Sequence, residues 1–411
     1  MASVGVSEGQ ILQDALDHHR AGRLPEAEKL YRRILNRNPN HTDALHLLGL
    51  IANRMGAHDA AIDLIQRAAK NQPRRPDILS NLGLVYSMTN RHADAIVVLQ
   101  RAITLGGVAD IRFNLGNAYQ GLNRHSEAAA AFVKALEKAP TLADAWLNLG
   151  ISLIHLHQPK EAIHALNQHL ELNSFSSRAQ AMKLHALCMQ GDDAKVAQLY
   201  DFDRDVTATK LKPPLTYTNI NDFNAELEVQ IRSRPGLRSD FQGVATRNGQ
   251  QALALQVEPP PAIRRLETAL RPLINDYISV HGKDIDSGGI GAAQGRPYTL
   301  NINATILDTN GYQESHIHPN GIVSGVYYVR IPNEIGNSPR EAEQTDDDAT
   351  AGWIEFGRPG SDLPPVKTEL IRRIKPEAGT VFIFPSYLFH CTIPFQSSEP
   401  RISIAFDVQI M

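Results

Sequence analysis

The 411-residue chain has only two cysteines, Cys188 and Cys391. They are too few and too far apart for a disulfide framework, so a reducing compartment is expected. Charge of one sign is also missing. With 41 basic residues against 44 acidic ones, no field exists to hold nucleic acid or an anionic membrane surface. No run approaches the roughly 20 apolar residues that cross a bilayer. The opening MASVGVSEGQ lacks a basic segment followed by an apolar core, which argues against a signal peptide. A soluble cytoplasmic protein of two or three domains is the expectation.

What is present first is a repeat. Leu48-Gly49, Leu82-Gly83, Leu115-Gly116 and Leu149-Gly150 recur at intervals of 34, 33 and 34 residues. Around them, Tyr86 and Tyr119, Ala61, Ala95, Ala128 and Ala162, and Ile65, Leu99, Phe132 and Leu166 keep the same register, with prolines at 73 and 140. A weaker first unit carries Ala15, Gly22, Ala27, Tyr31 and Pro39. Small residues let two helices of a hairpin approach closely, and the large apolar ones fill the space between them. Over about residues 8–176 this pattern resembles the tetratricopeptide repeat family, which implies an all-α solenoid whose concave groove binds peptides. Residues 177–200 are helical in composition but off the pattern, as a capping segment would be.

Asn81, Asn114 and Asn148 share one inward-facing repeat position, and Asn117 and Gln120 extend the same surface. An amide offers a donor and an acceptor, so a ladder of them can pair with the backbone of an extended peptide whatever its side chains. These asparagines are the candidate peptide-binding residues. The twelve histidines before residue 200 show no metal-ligand spacing.

The helical period fades after Tyr200. Residues 201–214 (DFDRDVTATKLKPP) read as a linker between a solenoid domain, 1–200, and a second domain, 215–411. Helices are expected over 220–233 and 261–281. From Tyr298 onward, short alternating β-branched segments dominate: 298–307, 321–330, 353–356, 380–384 and 401–410. The acidic segment 334–350 has almost no core-forming residue and reads as a surface loop or lid. Helices first and strands after predict a multidomain α + β chain, with a solenoid followed by a sandwich or barrel.

The chemistry concentrates in this second half. Residues i and i+2 of a strand share a face, so His316 and His318 project together. His390, after the strand 380–384, can complete one face of an octahedron. Arg401 follows on a further strand, with the hydroxyl of Ser403 on the same side. Such an arginine pairs bidentately with a carboxylate.

The segments HIHPN at 316–320, SGVYYVRIP at 324–332, FPSYLFH at 384–390 and RISIAF at 401–406 resemble a family of 2-oxoglutarate/Fe(II) oxygenases, over about residues 215–411. The resemblance implies a double-stranded β-helix (jelly roll) with flanking helices. It implies Fe(II) on His316, His318 and His390, and O2 as co-substrate. It places 2-oxoglutarate on Arg401 and Ser403, with Tyr327 and Asn303 as further contacts. The activity it implies is hydroxylation coupled to oxidation of 2-oxoglutarate, here of a peptide or protein side chain held by the repeats.

The superfamily usually has a carboxylate where this chain has His318. Several readings stay open: a three-histidine centre, a shifted site with His318 first and Asn320 in the carboxylate's place, a carboxylate from Glu314, or a site without metal. A cupin-type or small-molecule dioxygenase competes, as does an adaptor whose oxygenase domain is degenerate. Arg401-x-Ser403 has no assigned task in a cupin.

Overall fold

The computed structural model describes residues 7–106, 108–239, 245–282, 290–335, 350–368 and 370–411. Most of the acidic segment, 336–349, therefore lies outside the described residues. The chain forms two compact units, Met1–Leu156 and His157–Met411.

The first unit holds α1 (Glu8–Arg20), α2 (Leu24–Arg37), α3 (Thr42–Arg54), α4 (His58–Asn71), α5 (Pro76–Met88), α6 (His92–Thr104), α7 (Ala109–Gln120), α8 (His125–Leu136) and α9 (Ala143–His155). Each helix packs on its neighbours in sequence. The glycines explain the spacing. A Cβ on Gly49 would stand 2.5 Å from Ile65, and one on Gly83 would stand 2.5 Å from Leu99; Gly116 meets Phe132 in the same way. One device thus sets three hairpins. The turns repeat as well, because Gly22, Gly56, Asn90 and Asn123 all take positive φ just after a helix, the left-handed cap that glycine and asparagine tolerate. Hydrogen bonds join successive repeats through Gln66 to the Tyr86 hydroxyl at 2.5 Å and Gln100 to that of Tyr119 at 2.9 Å.

The second unit begins with α10 (Pro159–Leu172), α11 (Ser177–Gln190), α12 (Asp193–Leu199) and α13 (Phe202–Asp205), and later contains α14 (Ile220–Arg232) and α15 (Pro261–His281). Its strands are β1 (Thr207–Lys210), β2 (Arg238–Ser239), β3 (Thr246–Ala252), β4 (Tyr298–His316), β5 (Val323–Arg330), β6 (Ile354–Phe356), β7 (Arg372–Ile374), β8 (Thr380–Pro385), β9 (His390–Thr392) and β10 (Arg401–Ile410). They form one antiparallel sheet ordered β1-β8-β5-β10-β4-β9-β6-β7, with β3 also on β4 and β2 on β3. The protein is thus a helical repeat unit followed by a curled antiparallel sheet of the double-stranded β-helix kind, as the sequence led us to expect. No described helix is long and apolar enough to cross a membrane.

Two segments differ from expectation. Residues 201–214 are more than a linker, since α13 lies there and β1 pairs with β8, Thr207 opposite Ile383. The β-branched threonines suit an edge strand. The helices over 177–200, expected to cap the solenoid, also bond to the sheet. Ser177 Oγ donates to Gly321 O at 2.5 Å, and the N–H groups of Lys367 and Thr368 donate to Cys188 O. The Tyr387 hydroxyl donates to Leu199 O at 3.0 Å. Covered on nearly all sides, α11 has no need of an amphipathic stripe.

Alternation along the strands assigns the two faces of the sheet. Leu300, Ile302, Ala304 and Ile306 of β4 join Ile402, Ile404, Phe406 and Val408 of β10 in the core with Phe223, Leu227, Leu266, Leu270 and Ile274 of α14 and α15. Residues between them, including Arg401, Ser403 and Asp407, take the inner face. In the first unit, Phe132→Ala should cost about 3–5 kcal/mol, read as a urea-midpoint shift of the helical circular-dichroism signal. A loss under about 1 kcal/mol would contradict the packing described.

Candidate metal centre

Strand β4 carries its histidines to the site by bending. A Cβ on Gly311 would stand 2.6 Å from Asp308 O and 2.7 Å from Asn248 O, so only glycine fits this turn. Beyond it the register shifts and His316 pairs with His390 on β9. His318 follows at the mouth of a tight turn, held by its N–H to Ser386 O at 3.0 Å and by Gly321 N–H to its own carbonyl.

One ring nitrogen from each of His316, His318 and His390 lies within 4.8 Å of the other two. Their Nδ1 atoms face acceptors only: Glu314 O at 2.7 Å from His316, Leu388 O at 3.0 Å from His390, and the Asp407 carboxylate at 2.7 Å from His318. Each Nδ1 must then carry the proton. The Nε2 atoms of His318 and His390 face one another at 3.1 Å. A contact that close needs a proton or a metal ion shared between the two nitrogens. Burial pushes His316 down to about 4, with His318 adding to the effect, and drives His390 well below its ordinary range. These two imidazoles are ready ligands at neutral pH. The donor set fits a divalent transition ion that accepts imidazole.

The other carboxylate and amide candidates do not join the cluster. Glu314 is ion-paired with Arg247 at 2.9 Å, and Asn320 is exposed beside Phe175 and Arg296 in a separate depression. Sequence reasoning missed Asp407, which β10 places on the inner face. Its signal was available, since residue 407 has the same parity on that strand as Arg401 and Ser403.

Arg401 is 1% exposed. Its Nη2 donates to the Tyr328 hydroxyl at 3.2 Å, and the guanidinium lies 4.9 Å from the centre of that ring. Nε and Nη1 have no partner, and no carboxylate pairs with it among the described residues. A buried charge left this way costs several kcal/mol, which an anion would offset. Ser403 is buried opposite Thr305 and Tyr328 on the flanking strands. Phe356, Phe382 and Phe384, packed in sequence from Tyr328 to His390, form an apolar wall.

Two expected contacts change. Tyr327 lies on the helix-covered face, where its hydroxyl donates to Asn224 Oδ1 of α14 at 2.5 Å. Neighbours in a strand point to opposite faces, so Tyr328 takes the place beside Arg401. Asn303 shares the inner face, but its amide oxygen accepts from Ala254 N–H at 2.9 Å. In the first unit, Asn81 bonds His46 at 2.8 Å and Asn148 donates to Asn117 at 2.8 Å, joining repeats. Asn114 makes no side-chain hydrogen bond among the described residues. Cys391 faces away from His390, toward Glu355.

A helical repeat array joined to a curled sheet with three convergent imidazoles and an unpaired buried arginine defines the class. Residues 302–407 match the family model described as "Putative 2OG-Fe(II) oxygenase", and residues 12–76, 54–109 and 119–186 match tetratricopeptide repeat models. The chain therefore carries tetratricopeptide repeats followed by an oxygenase-family domain. No curated protein matches it. Among solved structures it is similar to MamA, at 24% identity and TM-score 0.38 over 40% of this chain and 91% of that one. It is also similar to PilF of Pseudomonas aeruginosa, at 18% and 0.42 over 46% and 87%. A third is YrrB, "a TPR protein with an unusual peptide-binding site", at 21% and 0.39 over 42% and 90%.

Arg401→Met removes the uncompensated charge while keeping the volume. In ligand-free protein its urea midpoint should stay the same or rise. A loss of more than about 2 kcal/mol would mean that the arginine is a structural group.

Proposed function

We propose that the chain is an Fe(II)- and 2-oxoglutarate-dependent dioxygenase that hydroxylates a peptide or protein side chain held by its repeats. The observation that carries this reading is Arg401, a buried guanidinium with two open donors on the sheet face near the three clustered histidines.

His316, His318 and His390 would hold the iron, their rings fixed through Nδ1 to Glu314 O, Asp407 and Leu388 O. Arg401, steadied by Tyr328 and flanked by Ser403, would take the distal carboxylate of 2-oxoglutarate with Nε and Nη1. The wall of Phe356, Phe382 and Phe384 would exclude water between the two. Bound iron supplies the redox chemistry that couples 2-oxoglutarate decarboxylation to hydroxylation by O2. Substrate capture is assigned to the asparagine surface, where Asn114 keeps its amide open while Asn81, Asn117 and Asn148 are held by neighbours. Residues 201–214 contain structured elements, and α11 bonds to the sheet although the repeat match runs on to residue 186.

Anaerobic addition of Fe(II) and 2-oxoglutarate should give a metal-to-ligand charge-transfer band in native protein. The band should vanish in His318→Ala and weaken in Arg401→Ala. Its absence in native protein would favour an adaptor whose oxygenase domain binds no metal, a reading that histidine in the usual carboxylate position supports. Deleting residues 1–156 should spare the band and lower turnover of a peptide substrate. Unchanged turnover would point to a small-molecule substrate.

A further inference from the structure

The three-imidazole set brings no negative charge to a divalent ion, yet a buried carboxylate stands directly behind one ring. Asp407 Oδ1 is 2.7 Å from His318 Nδ1, and the residue is 7% exposed. Ser324 Oγ donates to the same oxygen at 2.7 Å and is itself 2.7 Å from Ser386 Oγ, both serines being fully buried. No lysine or arginine pairs with Asp407 among the described residues, so the histidine ring is the group its charge acts on. The turn that carries His318 is pressed onto this network. A Cβ on Gly321 would stand 2.7 Å from Ser386 Oγ and 3.3 Å from Asp407 Cβ, and Ile322 N–H is bonded to Val408 O at 3.0 Å. The turn is therefore fixed against the strand that carries the carboxylate.

We infer that Asp407 is a positioning residue that supplies, through His318, the negative charge the ligand set lacks and fixes that ring for the metal. The inference rests on the metal reading above. A carboxylate accepting from Nδ1–H polarises the ring and makes Nε2 a stronger donor, as such partners do behind metal-bound histidines. Where the usual triad places its carboxylate on the metal, this chain places it one ring behind. Ser324 and Ser386 keep it desolvated but hydrogen-bonded. One consequence is that the protein takes up metal before any co-substrate arrives.

The test is anaerobic titration of the full chain with Fe(II), and with Co(II) as a spectroscopic probe, in the absence of 2-oxoglutarate. Native protein, Asp407→Asn and Ser324→Ala are compared. The asparagine variant keeps the shape and the acceptor oxygen, so its thermal midpoint should hold while metal affinity falls about 10- to 100-fold. Ser324→Ala should fall in the same direction by less, which keeps the test open if Asp407→Asn folds poorly. In the Co(II) protein, the exchangeable ring N–H resonance of His318 should shift in Asp407→Asn, a change that a merely structural role would not produce. If native protein binds metal and the variants bind it equally with an unmoved resonance, the inference fails and the metal reading stands. If native protein binds no metal, both fail.

Discussion

Strand β10 sets the terms for the whole second unit. It lies between β4 and β5, and its residues alternate between an apolar face sealed by α14 and α15 and a polar face turned inward. The same two-residue period gives the helices Ile402, Ile404, Phe406 and Val408 to cover and gives the inner face Arg401, Ser403 and Asp407. A one-residue slip would bury the charges against the helices and expose the core. Pairing on both sides fixes the register, opposite Leu307 for Arg401 and Tyr328 for Ser403. The site can therefore hold an uncompensated guanidinium because the strand that bears it is tied on both edges.

The repeats solve a simpler problem. Three hairpins have a glycine facing one large apolar residue, and a left-handed turn residue follows each first helix, so local geometry is restated every 33 or 34 residues. That restatement made the first unit legible from the sequence. Inter-repeat bonds such as Asn148 to Asn117 were not legible, because pattern positions do not say whether an amide faces a ligand or a neighbour.

In the second unit the sequence located the three histidines, Arg401 and Ser403, and the two helices at Ile220–Arg232 and Pro261–His281. It did not locate β1, β2, β3 or β7, which take their stability from pairing rather than from hydrophobic pattern. Tyr327 and Tyr328 show the limit of parity. Both are large, fully buried strand residues, and only the strand's phase decides which hydroxyl meets Asn224 and which meets Arg401. Asp407 is not legible from sequence proximity to the histidines, because the sheet brings it to His318 from 89 residues further along the chain. The pattern of α11 is weak because the helix is buried on nearly all sides.

The central claim is that one face of the sheet holds a metal on three imidazoles and an anion on Arg401. The most direct measurement is anomalous X-ray scattering at the iron edge, from crystals of the full chain grown anaerobically with Fe(II) and 2-oxoglutarate. The account predicts a single iron peak between the Nε2 atoms of His316, His318 and His390, with a carboxylate on Nε and Nη1 of Arg401. Iron bound elsewhere, or both Arg401 nitrogens still without a partner in the loaded protein, would contradict it.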